Sequence, residues 1–212
     1  MNFLDEKIDK YVTQHTSKES DLLYELHRET YMKVLQPRML SGHFQGRVLS
    51  MISKMIQPSR ILELGTYTGY SALCLAEGLT KDGHLHTIDK NEELEDFVQS
   101  FIDRSKLATQ ITQHIGDALN VIPQLNEDWD MVFIDADKEN YLNYYNLIIP
   151  TLKSGSYILA DNILWSGKVV DEASQDKDTK LLREFNTQIT EDPRIENILL
   201  PIRDGIQIGR VI

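Results

Sequence analysis

Ile61-Leu62-Glu63-Leu64-Gly65-Thr66-Tyr67-Thr68-Gly69 runs from apolar residues straight into a glycine turn, and a helical stretch from Ser71 to Leu79 follows it. The same order, apolar run and then polar end, returns at Phe133-Ile134-Asp135-Ala136-Asp137-Lys138 and at Tyr157-Ile158-Leu159-Ala160-Asp161-Asn162. In an open α/β sheet, ligands bind at the carboxyl ends of the strands. Three strands thus carry polar groups to one edge.

Outward from this centre, strands are expected at Arg60 to Leu64, His84 to Ile88, Gln110 to His114, Met131 to Ile134 and Tyr157 to Ala160. Helical stretches separate them, an alternation that predicts a parallel sheet with right-handed crossovers. Asn91 is placed to cap a helix running through Arg104, and Tyr141, Tyr144 and Tyr145 fall at helical spacing before Pro150, a pattern read as helix packing. A last helix is expected around Thr179 to Thr190. The runs Ile195 to Ile202 and Ile206 to Ile212 flank Asp204-Gly205, a hairpin turn signal that adds an antiparallel pair. Ahead of the first strand, Leu22, Leu23 and Leu26, then Val48, Leu49, Ile52, Met55 and Ile56, recur at helical spacing. Pro37 and Gly42 interrupt that pattern, so residues 1–57 read as three helices.

The length of 212 residues suits one domain, 1–212, able to bury a core without disulfides or structural metal. A net charge of -11 opposes non-specific attraction to phosphate backbones. The single cysteine, Cys74, forms no internal disulfide, fits a reducing compartment and reads as core. Met1-Asn2-Phe3-Leu4 opens no basic and apolar leader, and no window approaches the roughly 20 apolar residues of a membrane helix. The expected location is cytoplasmic, with no membrane contact.

Asp89 ends the second strand about 20 residues past the glycine turn, the spacing of a carboxylate that accepts hydrogen bonds from ribose hydroxyls. The turn is Gly-x-x-x-Gly, not the Gly-x-Gly-x-x-Gly of dinucleotide binding, and Glu63 sits badly beside a pyrophosphate. That weighs against a nucleotide-dependent oxidoreductase. A cofactor carrying positive charge removes the objection, and S-adenosylmethionine carries a sulfonium and an α-amino group. Gly65 and Gly69 also serve simply to tighten a strand-to-helix turn, and Asp89 to cap a helix.

Asp135, Asp161 and Asn162 offer oxygen ligands from neighbouring strand ends, about 4.8 Å apart across a sheet. Oxygen-only ligation suits Mg²⁺, or another hard dication such as Ca²⁺ or Mn²⁺. Single Asp or Asn residues after a strand commonly make turns, but carboxylates gathered without a cation repel one another. Lys138 is then either the salt-bridge partner of these carboxylates or a base. His43 has no accompanying residues at ligand spacing and reads as incidental.

At these motifs, together with Tyr70-Ser71, Tyr141, Trp165 and Asp204-Gly205, the sequence resembles the cation-dependent class I O-methyltransferases, which include caffeoyl-CoA and catechol O-methyltransferases and bacterial relatives. The resemblance runs from about Tyr31 to the C-terminus. It implies an α/β, Rossmann-like methyltransferase fold: a seven-stranded, mostly parallel sheet with an antiparallel last strand and helices on both faces, the N-terminal helices forming part of the cofactor and acceptor site. It also implies that Met39, Ser41, Glu63, Gly65, Tyr67, Ser71, Asp89, Ala118, Asp135 and Asp137 line the S-adenosylmethionine pocket. Asp135, Asp161 and Asn162 hold the metal, Lys138 is catalytic beside Asp135, and Trp165 with Lys138 meets the acceptor. The implied reaction methylates a hydroxyl of a catechol-like small molecule, and the bacterial relatives imply a homodimer. Methylation of a tRNA hydroxyuridine is the alternative, which the negative charge disfavours. The stretch from Met39 to Gly46 lacks the acidic pair of the plant caffeoyl-CoA enzymes and no basic CoA-binding cluster stands out, which argues against caffeoyl-CoA itself. Acceptor choice is expected to reside in the loop from Ser166 to Lys177.

Overall fold

A computed structural model describes residues 5–212; the opening Met1-Asn2-Phe3-Leu4, read above for a leader, lies outside the described residues. Three helices, α1 (Glu6–Gln14), α2 (Asp21–Lys33) and α3 (Gly42–Ile56), precede the sheet. There follow β1 (Arg60–Leu64), α4 (Tyr70–Ala76), β2 (His84–Asp89), α5 (Glu95–Arg104), β3 (Ile111–Ile115), α6 (Ala118–Val121), β4 (Met131–Ile134), α7 (Tyr141–Ile148), β5 (Tyr157–Asp161), α8 (Lys177–Glu191), β6 (Ile195–Leu200) and β7 (Ile206–Val211). The seven strands form one sheet in the order β3-β2-β1-β4-β5-β7-β6. Only β7 runs against its neighbours, β5 and β6. Chain order reverses between β1 and β4, and the crevice beyond their carboxyl ends is the expected ligand position.

Both faces of the central strands are buried, which is why they read as continuous apolar runs. Leu62, Leu64, Val132, Ile134 and Ile158 face α7 and α8, where Tyr141, Tyr145 and Phe185 fill the core. Ile61, Met131, Phe133 and Leu159 face the layer of α2 to α5, with Leu26 and Leu49. Cys74 belongs to that second core, as expected. Met55 does not: it is 78% exposed, because α3 buries the stripe through Leu49 and Ser53 and turns Met55 to solvent. Among the described residues, no helix is long and apolar enough to cross a membrane.

The helix ends follow local chemistry. The Asn91 side chain accepts from Glu93 N, Ser20 from Leu23 N and Asp176 from Thr179 N, so capping oxygens satisfy otherwise unpaired amides. The third strand starts one residue later than expected because Gln110 ends a 3-10 turn and donates its amide to the Thr80 and Gly83 carbonyls.

An ion-pair cluster ties α3 to α4. Glu77 accepts from both terminal nitrogens of Arg47 (2.8 and 2.9 Å), from Lys54 (2.9 Å) and from Ser50 (2.7 Å). Burial alone would push its carboxyl up, but these donors outweigh it and lower the pKa from the ordinary 4.5 to about 2. A depressed carboxylate contributes stability that is present above its unfolded pKa and lost as pH falls through its folded one. Acid titration should therefore narrow the stability gap between wild type and Glu77→Gln by up to about 3 kcal/mol, chiefly between pH 4.5 and 2. Urea unfolding at successive pH values measures this, and parallel curves for the two proteins would refute it.

Candidate active site

The carboxyl ends of β1, β4 and β5 bring the motif residues together. At the end of β1, Gly65 adopts φ +97°, and a Cβ there would lie 2.0 Å from the Asp135 carbonyl oxygen. The neighbouring strand end, rather than a ligand or the crossing helix, is what demands glycine at this point. Gly65, Tyr67, Ser71, Met39, Ser41 and Asp135 line a single cleft at the switch point. Asp89 reaches the turn from β2: one oxygen accepts from Tyr67 N (2.8 Å) and the other from Asn91 N (2.9 Å). The residue that was expected either to bind ribose or to cap a helix thus also fastens the turn.

Glu63 lies behind the cleft wall and is fully buried. Thr87 donates to one of its oxygens at 2.6 Å. Burial pushes its pKa up to about 8, although hydrogen bonds from Ser71 and Thr87 hold it back. Ala118 opens α6, buried at 7% exposure. Asp137 stands beyond Asp135 and accepts from the Tyr144 hydroxyl (2.7 Å) and from Asn140. Burial works against its charged form, yet those two donors outweigh it and hold the carboxyl below its usual range.

The acidic centre joins β4 to β5, whose last paired residues are Ile134 and Ala160. Asp161 is 3% exposed. Burial and the neighbouring Asp161 charge push Asp135 up to about 7 against the pull of Lys138, and burial also raises Asp161. Lys138 Nζ lies 3.4 Å from Asp135, 3.2 Å from the Ala136 carbonyl and 2.5 Å from the Tyr141 hydroxyl. Tyr141 in turn reaches the Asp161 carbonyl at 3.0 Å. Here the packing reading of the tyrosines is incomplete: their rings fill the core, but the hydroxyls of Tyr141 and Tyr144 hold Lys138 and Asp137. That role has no periodic signal, because it depends on where the rings end.

Two residues missed by sequence reasoning complete the centre. Gln45, on α3, donates to Asp161 Oδ2 at 2.6 Å, and Arg203, before the β7 turn, donates to Gln45 Oε1 at 2.8 Å. Asp204 and Gly205 do more than turn the hairpin: Asp204 accepts from Ser166 N (2.6 Å), and its carbonyl accepts from Leu164 N (2.9 Å), propping the loop of Trp165. Trp165 is half-buried with its indole nitrogen unpartnered. His43 donates from Nε2 to the Ser17 carbonyl, 2.7 Å away. Positive φ at Tyr67, Asn162, Trp165, Ser166 and Arg203 gathers sparsely allowed backbone around this one edge, a distribution typical of functional sites.

The comparisons agree with this geometry. A profile of the O-methyltransferase family matches residues 13–212. Caffeoyl-CoA O-methyltransferase 5 of Nicotiana tabacum is 37% identical over 207 residues, covering 92% of this chain and 86% of that protein. Caffeoyl-CoA O-methyltransferase 2 of Petunia hybrida is 39% identical over 186 residues, covering 82% and 77%. Among solved structures, the O-methyltransferase from Bacillus cereus in complex with SAH superposes with TM-score 0.89 at 29% identity, covering 97% of each chain. TomG from Streptomyces achromogenes, an O-methyltransferase of tomaymycin synthesis solved with SAM, gives 0.87 at 27% identity, covering 97% of this chain and 96% of its own. With strand order, glycine turn and acidic strand ends all in place, this chain belongs to the O-methyltransferase family.

Proposed function

We propose that the protein transfers a methyl group from S-adenosylmethionine to one hydroxyl of a catechol-like small molecule, with a divalent cation such as Mg²⁺ holding the acceptor. The observation that carries this reading is the placing of Asp135 and Asp161 at the ends of adjacent parallel strands, with the Lys138 ammonium 3.4 Å from Asp135 alone. Burial raises the pKa of both carboxylates and the Asp161 charge raises Asp135 further, in spite of Lys138 and Arg203, so the pair calls for added positive charge. Their donor set, two carboxylates and the Asn162 amide, is all oxygen and fits a hard dication. The relatives solved with SAM and SAH support S-adenosylmethionine as the methyl donor.

In this reading Met39, Ser41, Gly65, Tyr67, Ser71, Asp89, Ala118 and Asp137 line the donor pocket, backed by Glu63, and Asp135, Asp161 and Asn162 hold the cation. A cation there supplies Lewis-acid polarisation of two adjacent acceptor oxygens. With a cation answering the carboxylates, Lys138 would release its own proton to solvent and, as a neutral amine, take that of the attacking hydroxyl, while Tyr141, bonded to both Lys138 and the Asp161 carbonyl, holds the amine beside the strand ends. Trp165 walls the acceptor and excludes water. Holding the nucleophile in line with the methyl carbon contributes roughly 7–11 kcal/mol, more than the factor of roughly 10²–10⁴ that one acid–base group gives. Acceptor geometry therefore governs the rate.

The test is a panel of methyl acceptors, with mass spectrometry reading the gain of one methyl group. A vicinal diol on an aromatic ring should turn over at least about 100-fold faster than the matched single phenol. Equal rates for the two would overturn acceptor chelation, and methylation confined to a hydroxylated nucleoside would transfer the site to RNA chemistry.

A further inference from the structure

Gln45 is 1% exposed and makes two strong side-chain hydrogen bonds, one on each end of its amide. Its oxygen only accepts and Arg203 only donates, so Arg203 fixes which way the amide points. The amide nitrogen is thereby forced toward Asp161 Oδ2, 2.6 Å away. The other oxygen, Oδ1, accepts from Asn162 N at 2.8 Å. Each carboxylate oxygen has two lone pairs, so both keep one free on the side away from these donors.

The position of Arg203 adds a second link. Its backbone is held at φ +49°, a conformation that favours glycine. The same terminal nitrogen that donates to Gln45 also donates to the carbonyls of Leu40 (3.2 Å) and Ser41, both on the lip of the cleft. One guanidinium thus grips the lip and the amide together. Neither Gln45 nor Arg203 lines the cleft.

Resting on the function proposed above, we infer that Arg203 and Gln45 form a positioning relay that orients the Asp161 carboxylate for a divalent cation and fastens the cleft lip to the same centre. Groups that hold a ligating carboxylate from behind typically change metal affinity by 10–100-fold. Gln45 serves the cation centre alone, and Arg203 serves both the centre and the lip.

The experiment titrates Mn²⁺ into the purified protein, without donor or acceptor, and reads affinity by calorimetry for wild type, Gln45→Leu, Arg203→Gly and the double variant. Gln45→Leu should weaken Mn²⁺ binding about 10–100-fold. Arg203→Gly should weaken it in the same direction by about 3–10-fold, since the amide is then free to turn. Its melting temperature should stay near that of wild type, because glycine relaxes the positive φ while the side-chain bonds are lost. The double variant should bind no more weakly than Gln45→Leu alone, the non-additivity expected of residues acting through one chain of contacts. Affinity for S-adenosylhomocysteine should fall in Arg203→Gly and not in Gln45→Leu. Wild-type binding with unchanged variants, or strictly additive losses, overturns the relay while leaving the cation in place. Absence of Mn²⁺ binding by wild type overturns the cation itself, and the relay with it.

Discussion

Lys138→Ala is expected to lower methyl transfer by about 10²–10⁴-fold while leaving affinity for S-adenosylhomocysteine within a factor of about three. The split follows from where the amine sits. Its three contacts are Asp135, the Ala136 carbonyl and the Tyr141 hydroxyl, of which only Asp135 also lines the cleft, and Lys138 itself does not. Its side chain is only 10% exposed, so bulk water does not easily replace it as proton acceptor. Lys138→Arg separates charge from base chemistry. A guanidinium keeps its positive charge but does not give up a proton in proteins, so the arginine variant should be nearly as slow as the alanine one. Steady-state kinetics and a binding titration on the same preparations decide the matter. If turnover and donor affinity fall together, Lys138 supports the turn after β4 and does no chemistry; if Lys138→Arg keeps most of the rate, the amine acts by charge alone.

Much of this centre was legible in the sequence, for identifiable reasons. β1 and β4 occupy the expected Arg60–Leu64 and Met131–Ile134 because each is an apolar run ended by glycine or carboxylate chemistry. Asp135 and Asp161 come to the same sheet edge because β4 and β5 pair in parallel, so that sequence position along each strand translates directly into height at that edge. What stayed hidden depends on contacts across the whole chain. Gln45 and Asp161 are 116 positions apart, and Arg203 and Gln45 are 158 apart. No local period marks them, and an arginine at positive φ contradicts the local preference that sequence reading relies on. Violations of this kind belong at functional sites, where tertiary contacts override local propensity. The hydroxyls of Tyr141 and Tyr144 were missed for another reason: helical spacing explains their rings fully and says nothing of their polar tips.

Removal of divalent cations by EDTA should lower the rate by at least about 10³-fold and excess Mg²⁺ should restore it, since polarising the acceptor oxygens is worth several kcal/mol and each 1.36 kcal/mol is tenfold in rate. The protein's own groups explain why the loss is large. Lys138 lies 3.4 Å from Asp135, and a cation on the carboxylates would compete for that charge and leave the amine available to an acceptor hydroxyl. Burial already disfavours the charged form of both carboxyls, and the Asp161 charge raises Asp135 further. A cation that binds only the folded chain also stabilises it by mass action, by about 2.7 kcal/mol at a hundredfold excess over its dissociation constant. For a chain of this size that corresponds to a rise of roughly 5–11 °C in melting temperature. Asp161→Ala should abolish this thermal shift and the EDTA sensitivity together, because both depend on the same carboxylate. The decisive combination is therefore rate and melting temperature, measured with and without Mg²⁺ in wild type and Asp161→Ala. Chelator-insensitive turnover in wild type removes the cation from the reaction; a Mg²⁺-induced thermal shift that survives in Asp161→Ala places the ion elsewhere in the molecule.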